Sequence, residues 1–252
     1  MDRRSFEKVM RRDATIPLLI LGATGAAVLA YTKRGTIMLY GRKAVDAAHE
    51  AIFALQLPSY ARPYSTVILQ VAREETLDPF LIFGLGDRET KWGTTSYLDK
   101  PGPGGKGDGG HGHGLMQIDD RSFGSWLSMN NWADPYTNVK KGAQVLKGKL
   151  GFFTTRSTIK GFAEGGRVYL NPTRAAARSV PEGWYPDPRP LVGPVLWQSA
   201  IAAYNGGEGA VLMSIAAGKN PDITTTGGDY FADVSRRAKV VADKYDKAIG
   251  VA

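Results

Sequence analysis

The run from Gly102 to Gly114 holds eight glycines in thirteen residues, together with Pro103. Glycine loses more backbone freedom on ordering than any other residue, so no regular helix crosses this run. The chain must pass through a loop or irregular hairpin here, and whatever flanks it has to bring the two ends back together. Helical patterns do flank it. Asp78 followed by Pro79 marks a helix start, because a short carboxylate caps free N–H groups and proline is tolerated in the first turn. That helix is expected to run to about Lys91. Tyr64 to Glu75 precedes it as a helix with Val67, Ile68 and Val71 facing inward, and it follows a linker bracketed by Pro58 and Pro63. Later helices are expected over Thr137 to Leu150, Val195 to Tyr204, Glu208 to Ala217 and Asp229 to Lys247. Between Phe152 and Pro194 lies a Pro-, Gly- and Arg-rich stretch, long for a connection inside a compact domain.

The N-terminal part reads differently. Ile16 to Tyr31 is apolar or small throughout and is flanked by Arg3, Arg4, Lys8, Arg11 and Arg12 on one side and Lys33 and Arg34 on the other. It is marginal against the roughly 20 residues that span a bilayer. Three readings stay open: a retained membrane anchor, a cleaved export signal, and a helix packed on protein. Arg42 to Leu57 continues with Val45, Ala48, Ile52 and Leu55 at helical spacing until Pro58. The expected organisation is a basic tail over 1–13, an anchor or signal over 14–32, an amphipathic helix and linker over 33–62, and a catalytic domain over 63–252.

Composition narrows the chemistry. There is no cysteine, which excludes disulfides, thiol catalysis and cysteine metal sites. The formal charge of +8 favours polyanions in general, among them nucleic acid, anionic lipid and acidic envelope polymers. The basic residues are spread along the chain with no nucleic-acid reading motif, so no nucleic-acid partner is expected. The Gly104–Gly107 stretch around Lys106 is no phosphate loop, since no Ser or Thr follows the lysine.

Glu89 is the first catalytic candidate. On a helix starting at Asp78 it shares a face with Ile82 and Leu85, which turns its carboxyl towards the core. Losing hydration raises a carboxyl's pKa and lets it hold a proton, as a general acid must. The alternative is an ion pair with Arg88 or Lys91 on a solvated face. Gly114, Leu115, Met116 and Gln117, followed by Ile118 and Asp119, suit a groove that offers backbone and amide groups to sugar hydroxyls, or else a buried strand. Tyr204 and Asn205, before Gly206 and Gly207, put a hydroxyl and an amide at a helix end, or form a plain C-cap.

In this order and spacing the three elements resemble the goose-type lysozyme and lytic transglycosylase superfamily, over roughly Val67 to Tyr245. The family's glutamate motif stands here as Asp87-Arg88-Glu89-Thr90, with Thr where most relatives have Ser. Gly228 to Lys239 resembles the goose-type segment whose tyrosine lines the active site, which points to Tyr230. The resemblance implies an α+β, mainly α, lysozyme-like fold with a small β-hairpin or sheet near Asp108 to Asp119, preceded by the N-terminal apolar helix. It implies cleavage of peptidoglycan glycan strands between N-acetylmuramic acid and N-acetylglucosamine, without a cofactor or metal.

Goose-type lysozymes carry acidic residues six positions before the motif glycine and directly after the Met-Gln-aliphatic triplet, and Asp108 and Asp119 fill both positions. An inverting hydrolase needs a second carboxylate about 6.5 to 9.5 Å from the acid to activate water. Hydrolysis with Glu89 as acid and Asp119 or Asp108 holding water is therefore the expected reaction. A lytic transglycosylase forming 1,6-anhydromuramic products is the alternative, and a membrane-tethered wall-binding or virion structural protein is the second. His111 and His113 in a glycine loop fix no metal geometry. The expected location is the cell envelope, on the periplasmic side of a membrane, or a virion if the source is a phage.

Overall fold

A computed structural model of the protein describes residues 47–154, 194–217 and 219–250. The basic tail, the apolar segment over 14–32 and most of the Phe152 to Pro194 stretch lie outside the described residues. Among the described residues, no helix is long and apolar enough to cross a membrane. A compact unit spans Glu50–Ala252, and Phe53 of its first helical stretch and Leu57 just after it are fully buried in its core.

Among the described residues, seven further α-helices and a small sheet build the rest. They are α1 (Ser65–Glu75), α2 (Pro79–Thr90), α3 (Asp120–Met129), α4 (Pro135–Thr154), α5 (Pro194–Gly206), α6 (Glu208–Ala216) and α7 (Tyr230–Ala248). The strands β1 (Lys106–Gly107), β2 (Gly112–His113) and β3 (Ile118–Asp119) form one antiparallel sheet in that order. The fold is the mainly helical, lysozyme-like α+β class that the resemblance implies. All six helices expected within the catalytic domain are present. Helix α3 is the addition: Asp119 caps it by accepting from the Arg121 N–H at 2.8 Å, and a kink at Phe123 breaks the periodicity that would have marked it.

The sheet shows why so much glycine is needed. Gly107 and Gly112 face each other across β1 and β2, and a methyl group on either would lie 2.3 Å from the Gln117 Oε1. The glycine pair thus makes a slot for one amide side chain. Gln117 itself holds φ at 47°, in the left-handed region, and its Nε2 donates to the Gly114 carbonyl at 2.8 Å.

Helix α2 is the spine of the core. Its Asp78 cap accepts from the Phe80 N–H at 2.7 Å, and Phe80, Leu81, Ile82, Phe83 and Leu85 are all buried. A helix apolar on every side is one enclosed by neighbours. The tightest neighbour is α7: a methyl group added at Gly84 would sit 2.6 Å from the Val234 carbonyl oxygen and 3.2 Å from the Ala238 Cβ. Gly84→Ala is therefore expected to force the helices apart and cost about 1–3 kcal/mol, read as a drop in the denaturation midpoint. An unchanged midpoint would show that the two helices have slack between them.

Candidate active site

The end of α2 places Glu89. The helix stops at Lys91, which with Trp92 takes a left-handed conformation at φ 48° and 53°. Burial of the Trp92 ring holds that turn: it stacks on Tyr64 at 5.4 Å between centroids and donates from its indole to the Phe83 carbonyl at 3.2 Å. The residue after the glutamate then ties the helix to the glycine motif. Buried Thr90 donates from Oγ1 to the Leu115 carbonyl at 2.8 Å and accepts from the Gly93 N–H at 3.0 Å.

The four motif residues form the floor behind this junction. Leu115 and Met116 are fully buried, and Asn138 of α4 grips the turn by accepting from the Met116 N–H at 2.8 Å and donating to the His113 carbonyl at 3.0 Å. The Met116 carbonyl accepts from the Tyr204 hydroxyl at 2.9 Å. Gly142 leaves room for that meeting, since a methyl group there would lie 2.7 Å from the Met116 Cβ and 3.0 Å from the Tyr204 hydroxyl. Backbone groups of the motif are thus bonded within the protein, and Gln117 fills its slot in the sheet.

Tyr204 closes the circle to Glu89 through a second tyrosine. Its ring stacks on that of Tyr230, with centroids 6.4 Å apart and planes 11° from parallel. The Tyr230 hydroxyl donates to the Glu89 Oε1. Glu89 is half-buried, and burial pushes its carboxyl up from the ordinary 4.5 to about 7, although the Tyr230 hydrogen bond and the Arg88 charge pull the other way. Both tyrosine hydroxyls are themselves held well above their usual pKa, by burial first and then by the Glu89 charge, so they stay neutral donors.

Arg88 does not pair with Glu89. Its guanidinium donates to Asp233 at 2.7 Å, to Asp229 at 2.9 Å and to the Thr226 carbonyl at 3.0 Å, and it lies over the Tyr230 ring at 5.6 Å. Asp233 also accepts from Arg236 and Arg237, and Arg237 reaches Asp87 at 2.6 Å, where the Tyr60 hydroxyl donates at 2.9 Å. This network locks the start of α7 to the end of α2, which sets Tyr230 against Glu89. The i,i+3 and i,i+4 spacing of Asp233, Arg236 and Arg237 was its one trace in the sequence.

The remaining candidates fall into two groups. Asn205 accepts from the Thr226 N–H at 2.8 Å, so its amide staples the helix end to the loop before α7. Asp108 and Asp119 meet on a single cation: Arg121 donates to Asp108 at 2.6 Å and to Asp119 at 3.0 Å. The Arg121 contact is also the main cause that lowers the Asp119 pKa. His111 and His113 flank Asp120 at 2.9 and 3.6 Å, and His113 packs edge-on against Trp132. Among the described residues no group of three or more His, Cys, Asp or Glu is arranged to hold a metal.

The model of the transglycosylase SLT domain matches residues 66–226, which takes in Glu89, the Gly114–Gln117 turn, Tyr204 and Asn205. No curated protein matches the chain. A match over more than half the chain places the protein in the transglycosylase SLT family of peptidoglycan-cleaving enzymes.

Proposed function

We propose that the protein is a lytic transglycosylase that cuts the β-1,4 bond between N-acetylmuramic acid and N-acetylglucosamine, with Glu89 serving in turn as acid and base. The observation that carries this is the Glu89 carboxyl near pKa 7, bonded to Tyr230 and ion-paired with no cation among the described residues. A group poised at that value gives up and takes back a proton with equal ease near neutral pH. Glu89 first protonates the bridging oxygen, and the bond from that oxygen to the muramic C1 breaks to leave an oxocarbenium-like sugar. The Glu89 carboxylate then removes the proton from the muramic C6 hydroxyl as its oxygen bonds to C1, which closes the 1,6-anhydro ring and restores the acid. Tyr230 occupies one carboxyl oxygen and leaves the other for the proton. Gln117, Tyr204 and Asn205 keep the floor and helix end rigid around it.

Hydrolysis, the reaction expected from Asp108 and Asp119, is the second reading, and the meeting of the two carboxylates favours it. The Arg121 guanidinium on Asp119 argues the other way, because it lowers the pKa of that carboxylate and makes it a weaker base towards water. Mass spectrometry of digested sacculi decides between the two. Muropeptides lighter by one water and lacking a reducing end are expected; full-mass reducing products would establish hydrolysis. The rate should also fall as pH rises through about 7, because Glu89 must begin protonated. A rate that holds level to pH 9 would remove Glu89 as the acid. On this reading the enzyme works at the wall side of the envelope, with residues 14–32 as its tether to a membrane or virion.

A further inference from the structure

Tyr97 has no part in the contacts described so far, yet the fold holds it in place with care. The chain leaving α2 folds straight back on that helix, with the Gly93, Thr94 and Thr95 N–H groups all bonded to the Thr90 carbonyl at 3.0 to 3.2 Å. Leu98 is buried, and Asp99 is pinned to β1 by two bonds, its N–H to the Lys106 carbonyl at 2.9 Å and its carboxylate from the Lys106 N–H at 2.6 Å. Between these two anchors the Tyr97 side chain is 56% exposed, the one aromatic among the large apolar side chains exposed in the described residues. Its ring edge borders the slot of Gln117: the Cε2 lies 3.0 Å from where a Gly107 methyl group would stand. Partial burial, followed by the charge of Glu89, pushes its hydroxyl up to about 12. An aromatic ring left exposed on a loop anchored at both ends, beside the sheet and within the field of Glu89, gains little for stability.

We propose that the Tyr97 ring is a stacking platform for a hexosamine ring next to the bond being cut, and so a substrate-positioning residue. The inference rests on the reading of Glu89 as the acid of a glycan-cleaving site. The apolar face of a pyranose covers an aromatic ring well, and the preset loop spares the ordering cost of making that contact.

Sacculus-digestion kinetics and sacculus-binding assays on the full chain test it together. Tyr97→Ala is expected to raise the half-saturating wall concentration about tenfold while the maximal rate stays within about threefold, and Tyr97→Phe, which keeps the ring, is expected to recover most of the loss. In the Glu89→Gln background, where cleavage is stopped, Tyr97→Ala should weaken sacculus binding by a similar factor. Equal half-saturation in wild type and Tyr97→Ala would overturn the proposal, as would a Phe variant as weak as the Ala one. If Tyr97→Ala loses binding while Glu89→Gln still digests walls, the platform stands and the assignment of the acid falls.

Discussion

Replacing Glu89 with Gln is expected to lower wall digestion by about a thousandfold while leaving sacculus binding in place. The amide keeps the size and the hydrogen bond from Tyr230, so the arrangement around it is preserved, but it has no proton to give to the leaving oxygen. The same change has an opposite effect on stability. The Glu89 pKa in the fold, about 7, lies above its ordinary 4.5. Between those values the folded chain holds a proton that the unfolded chain has released, so the parent loses stability as pH rises through that window. The amide of the Glu89→Gln protein does not titrate, and at pH 8 that variant should be more stable than the parent by on the order of 2 kcal/mol. Denaturant titrations of both proteins at pH 5 and pH 8 read this directly. Equal digestion by mutant and wild type, or a stability difference that does not grow with pH, would show that Glu89 is a solvated surface residue.

Removing Asp233 is expected to have the largest structural effect. Only 7% exposed, it accepts from Arg88, Arg236 and Arg237 across the junction of α2 and α7. Asp233→Ala leaves the Arg88 and Arg237 guanidinium groups short of a partner in partly buried positions, at a cost of about 3 kcal/mol. Activity should fall further than stability alone explains, since Arg88 and the start of α7 together hold Tyr230 on Glu89. Burial opposes ionisation of Asp233, but hydrogen bonds from Arg237, Arg236 and Arg88 outweigh it and bring its pKa down to about 2. The stability it contributes is therefore complete above its ordinary value of 3.8 and is lost as pH falls towards about 2. The acid-unfolding midpoint of the Asp233→Ala protein should lie closer to neutrality than that of the parent. A variant within about 1 kcal/mol of wild type, with an unmoved acid transition, would make the network ornamental.

What could be read from the chain alone were features that local chemistry dictates. Asp78 and Pro79 start a helix wherever they occur with a free N–H to cap, the spacing of Ile82, Leu85 and Glu89 puts a carboxyl on an apolar face, and eight glycines forbid a helix. Motif order added the family, because three weak signals in one sequence are specific together. Helix α3 escaped because its kink at Phe123 spoils the period, and Asp119 was legible as an acid but not as its cap.

Tertiary structure alone decided which partner each charge takes. Arg88 sits beside Glu89 in sequence, yet it turns to Asp233 and Asp229, more than 140 positions along the chain. Asp108 and Asp119 share Arg121 instead of standing free, and the Glu89 proton is held by burial, against the pull of a tyrosine on a different helix. Helical periodicity can state which way a side chain points. A proton's affinity depends on what fills the space it points into, and that is set by how distant helices pack.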